Sequence, residues 1–209
     1  ALAVAGLLMQ TTFDNPLAGP SILGVSTGSS LGVAVVMLAL GGSVGTIGHY
    51  FSVLLGAMAG AMVVLVVLLL FSRFIHSSVM LLIVGIMVGY LASSAVSLLN
   101  FFSTQEGVHS FVIWGLGSFS GVNLERLPVF AAVTLAVVLL SFLMVKPLDA
   151  LLLGERYAAN LGVDIRATRN RLLLLSGLLT AAVTAFCGPI GFIGLIVPHV
   201  ARMAVNTSR

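Results

Sequence analysis

Residues 146–171, KPLDALLLGERYAANLGVDIRATRNR, form the one long charged stretch of this chain, and apolar runs enclose it on both sides. The 209 residues include nine Lys and Arg and six acids, and five of the bases and three of the acids lie in this stretch. They are Lys146, Asp149, Glu155, Arg156, Asp164, Arg166, Arg169 and Arg171. A mixed-charge segment in an otherwise nearly uncharged chain must lie in water. We therefore expect it to meet a partner there.

The composition places most of the remaining chain in lipid. Only 7% of the residues are charged and 59% are hydrophobic, whereas a soluble domain has about 25% charged residues. We therefore expect an all-α fold, a polytopic bundle of transmembrane helices. The net charge of +3 is too small to indicate nucleic-acid binding. Cys187 is the single cysteine, so no internal disulfide is expected, and no Cys/His cluster predicts a metal site.

Apolar runs predict one partial and six whole membrane spans. Residues 1–10 are apolar but too short to cross a bilayer, so we interpret them as the second half of a helix and the chain as a fragment. A polar break follows at 11–21, which contains Pro16 and Pro20. The whole spans are predicted at 22–41, 50–71, 79–102, 127–145, 172–186 and 190–205.

The positive-inside rule predicts the orientation of these spans. If 146–171 is cytoplasmic, alternation places 11–21, 72–78 and 202–209 on the same side. Eight of the nine basic residues then face the cytoplasm, and only Arg126 faces outward. The bias supports this topology.

Small residues at four-residue intervals predict close helix packing. They are Gly24, Gly28 and Gly32, then Gly56 with Gly60, and Gly85 with Gly89. Two interpretations stay open, namely packing within one subunit, and a dimer interface or path lining. The predicted spans contain no paired carboxylates and no Lys, which an ion-coupled transporter usually has at membrane depth. The energy for any transport is therefore expected to come from elsewhere.

Two extramembrane segments have recognisable patterns. The outer segment 103–126 has an apolar middle with Phe111 and Trp114, which predicts a short interfacial helix, either a gate element or a cover. The inner segment predicts two short helices. The first spans about 149–161 and ends at Gly162, and Asp164 caps a second that continues into 172–186. The alternative is a solvated loop with ordinary positive-inside charges.

Four motifs resemble the FecCD-type permeases, the membrane subunits of ATP-driven importers for iron chelates and cobalamin. They are NPLAGPSILGVSTGSSLG at 15–32, WGLGSFSG at 114–121, LLLGERYAANLGVDIRATRNR at 151–171 and LLTAAVTAFCGPIGFIGLIVPHVAR at 178–202. The motifs cover the chain in the family's order, which makes the resemblance highly specific.

The resemblance implies a type II ABC importer permease fold, with about seven of ten helices present. Residues 1–209 would be a single permease domain, truncated within helix 2 and near the end of helix 8. The implied partners are two ABC ATPase subunits, a second permease subunit in a homodimer, a periplasmic substrate-binding protein and the lipid bilayer, with no nucleic acid. The implied location is the bacterial cytoplasmic membrane. This chain would bind no cofactor, because ATP and Mg belong to the partner ATPase, and it would not itself be an enzyme.

The resemblance also assigns residues to roles. The coupling helices that fit the ATPase resemble 154–162, with Gly154, Glu155, Arg156, Ala158, Leu161 and Gly162 as the matching residues. The translocation path or gate is expected at Gly89, Ser93, Ser94, Ser97 and Asn100. The structural motif residues are Asn15, Pro16, Pro198, His199 and Arg202. His199 is expected to be a hydrogen-bonding group rather than a haem ligand.

An iron chelate, either a ferric siderophore or haem, is the expected substrate, and cobalamin is the alternative within the family. Three other hypotheses differ in class: an ion-coupled secondary transporter, an intramembrane Ser/His hydrolase, and a non-functional truncated paralogue. No Ser lies in a recognised nucleophile motif. The chain also has no G-x-x-x-x-G-K-[ST] phosphate loop. Energy coupling through a separate ATPase is therefore the favoured hypothesis.

Overall fold

The chain folds into helices throughout the described residues, which in this computed structural model are 1–39, 47–75 and 77–205. The helices are α1 (Leu2–Thr12), α2 (Val25–Ala34), α3 (Ile47–Phe74), α4 (Ser78–Phe102), α5 (Gln105–Gly115), α6 (Leu127–Phe142), α7 (Val145–Leu152), α8 (Glu155–Asn160), α9 (Ile165–Cys187) and α10 (Ile193–Val205). A π-helical turn, Val35–Ala39, continues α2, and 3-10 turns lie at Pro20–Leu23 and Phe119–Gly121. The all-α prediction is confirmed for these ranges.

Three helices of the described ranges are long and apolar enough to cross a membrane, namely Phe51–Phe74 within α3, α4 and α9. A fourth candidate is the pair α6 and α7, which is bent by 54°. The helices α1 and α10 and the stretch Val25–Leu38 are apolar but shorter. The chain is thus a multi-pass membrane protein, as its composition predicts.

Two of the predicted spans are not continuous helices. The span predicted at 22–41 breaks at Gly24, whose φ is 74°, and α2 begins only after it. The break brings Gly24 against α4, where an added Cβ would lie 2.9 Å from the Gly89 nitrogen. The span predicted at 127–145 ends at Phe142, because two tight turns, Leu143 N–H to Leu140 O and Met144 N–H to Ser141 O, redirect the chain into α7. Residues 40–46, between the spans predicted at 22–41 and 50–71, lie outside the described residues.

Helix α9 is the centre of the bundle and α4 lies at its surface. In the most apolar 18-residue window of each helix, 72% of the window is buried in α9 but only 22% in α4. α9 packs against α1, α2, α3 and α6. Its buried hydroxyls are satisfied by helix carbonyls, with Ser176 donating to Ala5 O at 3.2 Å and Thr180 to Ser176 O at 2.8 Å. Small polar residues can therefore be enclosed here without a large desolvation penalty.

The glycines of α2 and α3 let the two backbones touch. A Cβ on Gly32 would lie 1.9 Å from the Gly56 carbonyl oxygen, and one on Gly60 would lie 2.1 Å from the Gly28 carbonyl oxygen. Real Cβ atoms do not approach so closely, so these positions accept only glycine without movement. Packing within one subunit, the first of the two predicted alternatives, therefore accounts for these four glycines.

Most basic side chains of the described residues gather at the end of the bundle where α7 and α8 lie, hereafter the α8 end. Arg166 of α9 contacts Arg73 of α3 there, and Arg202 of α10 lines a cavity with Gly154. Arg126 lies beside the opposite end of α9, where its guanidinium donates to Gly121 O at 3.3 Å. The 23 residues of α9 separate the two ends by about 34 Å. This separation fits the predicted sidedness; Arg209 lies outside the described residues.

Candidate functional site

Two glycines with positive φ delimit the short helix α8. Gly154 has φ 105° and ψ 148°, and Gly162 has φ 84°. Side chains other than glycine rarely adopt such backbone conformations. A Cβ at either position would meet nothing within 4 Å, so the requirement is conformational rather than steric. The two glycines thus set where α8 begins and ends.

The turn from α8 into α9 is held by local hydrogen bonds. The Gly162 N–H donates to Ala159 O and the Val163 N–H to Ala158 O, each at 3.0 Å, which is a complete Schellman motif. The Asp164 carboxylate then caps α9 by accepting from the Ala167 N–H at 2.9 Å. Both terminators were predicted from the sequence and are confirmed. A fully hydrogen-bonded turn thus joins α8 to the central helix.

One prediction for this segment is wrong. A single helix over 149–161 was expected, but the chain forms α7 and α8 with a break at Leu153 and Gly154. The Gly154 N–H closes a tight turn onto Leu151 O at 2.9 Å, and the positive φ of Gly154 then redirects the backbone. The second predicted helix runs into the following span as expected, since both belong to α9.

Five of the six residues predicted for coupling, together with Tyr157, form one exposed surface around α8, hereafter the α8 surface. Gly154, Glu155, Arg156, Leu161 and Gly162 are exposed, whereas Ala158 is fully buried and anchors α8 to the bundle. Leu161 is 67% exposed and the neighbouring Tyr157 is 68% exposed. Large apolar side chains beside charged ones in a water-facing segment are typical of a protein contact surface.

Side-chain contacts join α8 and the start of α9 to the turn between α3 and α4. The Ser78 hydroxyl, at the start of α4, donates to Glu155 Oε1 at 3.1 Å. The Arg166 guanidinium donates to the Arg73 carbonyl, and the buried Ser72 hydroxyl bonds to the Asn170 side-chain oxygen. None of these contacts is apparent in the sequence, because each joins residues 77 to 98 positions apart.

The predicted path residues lie along α4 in two environments. Gly89 is buried against Gly24 and, with Ser93, lines a cavity of about 410 Å³ between α4 and the start of α2. Ser21 and Thr27 add hydroxyls to this cavity.

Ser94 and Ser97 lie outside this cavity, on the exposed surface of α4. Their hydroxyls donate to carbonyls of their own helix, Tyr90 O and Ser93 O. Asn100 is half-buried, and its Oδ1 has no hydrogen-bond partner among the described residues. The structure thus brings Gly89 and Ser93 together, and the role of all five residues stays a prediction.

The structural motif residues meet at the α8 end. Asn15 Oδ1 accepts from the Leu17 N–H at 2.9 Å, which forms an Asx turn around Pro16. Both residues line a cavity of about 450 Å³ together with Arg202 and Gly154. The two halves of the motif, more than 180 residues apart in sequence, are therefore neighbours in space.

The remaining two motif residues lie in α10, in contrasting environments. Pro198 lies inside the helix and is buried, whereas His199 is exposed.

Gln10 is a site residue that the sequence reasoning missed. Its side chain is buried, with only 3% of its surface exposed. The side-chain amide donates to Leu195 O at 3.2 Å, and the side-chain oxygen accepts from the Arg202 guanidinium. The sequence did indicate that Gln10 has a hydrogen-bond partner, because a lone amide side chain in an apolar helix needs one. Gln10 ties α1 to α10 and holds the Arg202 guanidinium beside the cavity.

The outer segment forms the predicted short helix, α5, and it is fastened at both ends. Before α5, the Ser103 hydroxyl donates to Leu38 O at 3.3 Å in the π-helical turn. After it, the Ser118 N–H donates to Cys187 O at 2.7 Å at the end of α9. Phe111 and Trp114 stack at 6.2 Å and pack on the core between α2, α3 and α9. α5 therefore covers this end of the bundle.

No group of three potential metal ligands occurs among His, Cys, Asp and Glu within the described ranges. Two features of the described residues stand out, namely the exposed helix α8 at one end of the bundle and the surface helix α4, which is hydrogen-bonded to it. His76 and the side chain of His49 lie outside what the structure describes.

Comparison with known proteins gives consistent matches over the chain. The profile of the FecCD transport family matches residues 1–209. The hemin transport system permease protein HmuU of Yersinia pestis is 36% identical over 207 residues, which are 99% of this chain and 62% of that protein. The vitamin B12 import system permease protein BtuC of Salmonella typhi is 35% identical over 204 residues, 97% of this chain and 61% of that protein.

A solved structure matches the fold as well. It is a metal-chelate type ABC transporter in an inward-facing conformation, with a TM-score of 0.86 and 34% sequence identity. The match covers 98% of this chain and 64% of that one. The present chain therefore spans somewhat over three fifths of the length of these proteins.

Proposed function

Because this chain belongs to the FecCD transport family, we propose that it forms the membrane-spanning part of an ATP-driven importer for iron chelates, either ferric siderophores or haem. The observation that carries the proposal is the α8 surface. It is joined to α9 by a hydrogen-bonded turn and exposes Tyr157 and Leu161 beside Glu155 and Arg156. Such a surface fits a groove on a partner protein.

The proposed partners follow from the two ends of the bundle. Two ABC ATPase subunits bind the α8 surfaces of two permease subunits, which form a homodimer, on the cytoplasmic side of the bacterial cytoplasmic membrane. A periplasmic binding protein delivers the substrate at the end covered by α5. ATP and Mg bind the ATPase, so this chain is not itself an enzyme and holds no cofactor.

In the proposed mechanism the ATPase cycle moves α8, and the bundle alternates between two states of access. The Schellman turn and the Asp164 cap connect α8 to α9, and α9 is the helix against which α1, α2, α3 and α6 pack. The bundle packed around α9 is the base relative to which α8 is displaced. The path residues of α4, Gly89, Ser93, Ser94, Ser97 and Asn100, are proposed to line the route that these movements open and close.

A cobalamin importer is the second candidate, and the relatives favour neither substrate. Identity is 36% to the hemin permease and 35% to the vitamin B12 permease. Uptake of labelled ferric siderophore, haem and cobalamin by the intact transporter separates the candidates. We expect uptake of an iron chelate; uptake of cobalamin alone would overturn that choice.

The coupling role is tested by placing a charge on the α8 surface. In the intact transporter, Leu161→Asp is expected to weaken co-purification of the ATPase and to lower uptake by about tenfold or more, because a charge would be buried unpaired at the interface. Leu124→Asp is the matched control for ATPase co-purification, since Leu124 is 84% exposed at the opposite end of the bundle. Unchanged ATPase association in Leu161→Asp would disprove the assignment.

A further inference from the structure

The start of α4 is linked directly to α8, independently of α9. The Ser78 hydroxyl donates to Glu155 Oε1 at 3.1 Å, and each is the first residue of its helix. A carboxylate near the N-terminus of the 25-residue α4 is favoured by the helix dipole as well as by the hydroxyl. Glu155 thus has a partner inside the chain, on the helix that carries the predicted path.

The end of α3 is held on the other side of the same turn. The Arg166 guanidinium donates to the Arg73 carbonyl in the last turn of α3, where helix carbonyls lack intrahelical partners and a cation is favoured. The buried Ser72 hydroxyl bonds to Asn170 of α9. The end of α3 is thereby fixed to α9, whereas the start of α4 is fixed to α8.

The two attachments differ in how easily they can move. α9 is largely buried, so the α3 attachment belongs to the fixed part of the bundle. α8 is exposed except for Ala158 and is delimited by the glycine turns described above. α4 has only 22% of its most apolar window buried, so it is also the long helix least restrained by packing. A displacement of α8 would therefore shift α4 relative to α3.

We propose that the Glu155–Ser78 contact is a latch that transmits movement of α8 to α4, the helix predicted to line the path. Glu155 then acts as a positioning residue within the chain and not only as a contact for the ATPase. The transport consequence of the latch rests on the proposed function, whereas the latch itself concerns the permease alone.

The test is a double-mutant cycle on the amount of substrate imported per ATP hydrolysed. Ser78→Ala is expected to lower this ratio by about two- to five-fold, because the lost contact to the carboxylate is exposed and water weakens it, while ATPase co-purification is unchanged. In a Glu155→Ala background, Ser78→Ala should have no further effect. Ser78→Thr retains the hydroxyl and should restore the ratio. An equal effect of Ser78→Ala in both backgrounds, or none in either, would overturn the latch.

A matched control and a second measurement separate this inference from the proposed function. Ser30→Ala removes a hydroxyl that donates to Ser26 O within its own helix, and it should leave the ratio unchanged. A spin label on Tyr157→Cys in the full-length permease reports the mobility of α8, which should rise in Ser78→Ala and not in Ser30→Ala. If the unmodified transporter neither binds an ATPase nor imports substrate, the proposed function fails. In that case the spin-label mobility of α8 alone tests the latch. Equal mobility in Ser78→Ala and Ser30→Ala would refute it.

Discussion

Gly117 and Gly188 meet where the segment after α5 crosses the turn between α9 and α10. A Cβ on Gly188 would lie 2.6 Å from the Trp114 carbonyl oxygen and 3.0 Å from the Gly117 Cα. The φ and ψ of Gly188 are 74° and 179°, a conformation that non-glycine residues rarely adopt. Both the steric and the conformational requirements therefore specify glycine at position 188. The close contact of Gly188 with Gly117 and Trp114 holds the α5 cover in place.

Gly188→Ala is accordingly expected to lower the free energy of unfolding by about 2–4 kcal/mol, from backbone strain and overpacking together. Thermal unfolding in detergent measures the effect. Gly115→Ala is the control, because a Cβ there meets nothing within 4 Å. Equal stability of the two variants would show that the α5 cover is not packed as described.

Single residues were predictable from the sequence where they act through the local backbone. Gly162 and Asp164 terminate and cap helices by hydrogen bonds to residues a few positions away, and both were placed correctly. Gln10 was missed because its partner Arg202 is 192 positions distant. The Ser78–Glu155 contact was not predicted for the same reason, since its two residues are 77 positions apart. Distant pairing depends on the fold, and the residue pattern alone does not contain it.

Helices were predictable where an unbroken apolar run coincides with one straight segment. The predicted span at 79–102 begins one residue after the start of α4 and ends with it. The same criterion failed at Gly24 and at Phe142, because apolarity continues through both breaks. The helix predicted over about 149–161 in the charged segment is also interrupted, at Leu153 and Gly154, where the backbone conformation of one glycine separates α7 from α8. Breaks within apolar or helical patterns depend on tertiary packing and backbone angles.

The α2–α3 pair gives the prediction at the level of helices. Gly32→Ala would place a Cβ 1.9 Å from the Gly56 carbonyl oxygen, so the two helices must separate. We expect a loss of unfolding free energy of about 1–3 kcal/mol, measured by thermal unfolding in detergent. Gly19→Ala is the matched control, because the nearest contacts of a Cβ there are an ordinary 3.8 and 3.9 Å. A Gly32→Ala variant as stable as Gly19→Ala would contradict the close packing.

At the scale of the whole molecule, charge and shape give the bundle two distinct ends. The α8 end combines the α8 surface, Arg73 and the Arg202 cavity, whereas Arg126 and the α5 cover lie at the other end of α9. The sequence predicted this division through the positive-inside rule. It could not predict that α8 contacts α4 as well as leading into α9.

The central claim is that the α8 surface binds the ATPase, and site-specific photo-cross-linking tests it most directly. A photoreactive amino acid replaces Leu161 or, as the control, Leu124, which are 67% and 84% exposed at opposite ends of the bundle. After irradiation of the intact transporter, a covalent adduct with the ATPase subunit should form from position 161 and not from position 124. The absence of an adduct from position 161, in a transporter that still imports its substrate, would contradict the account.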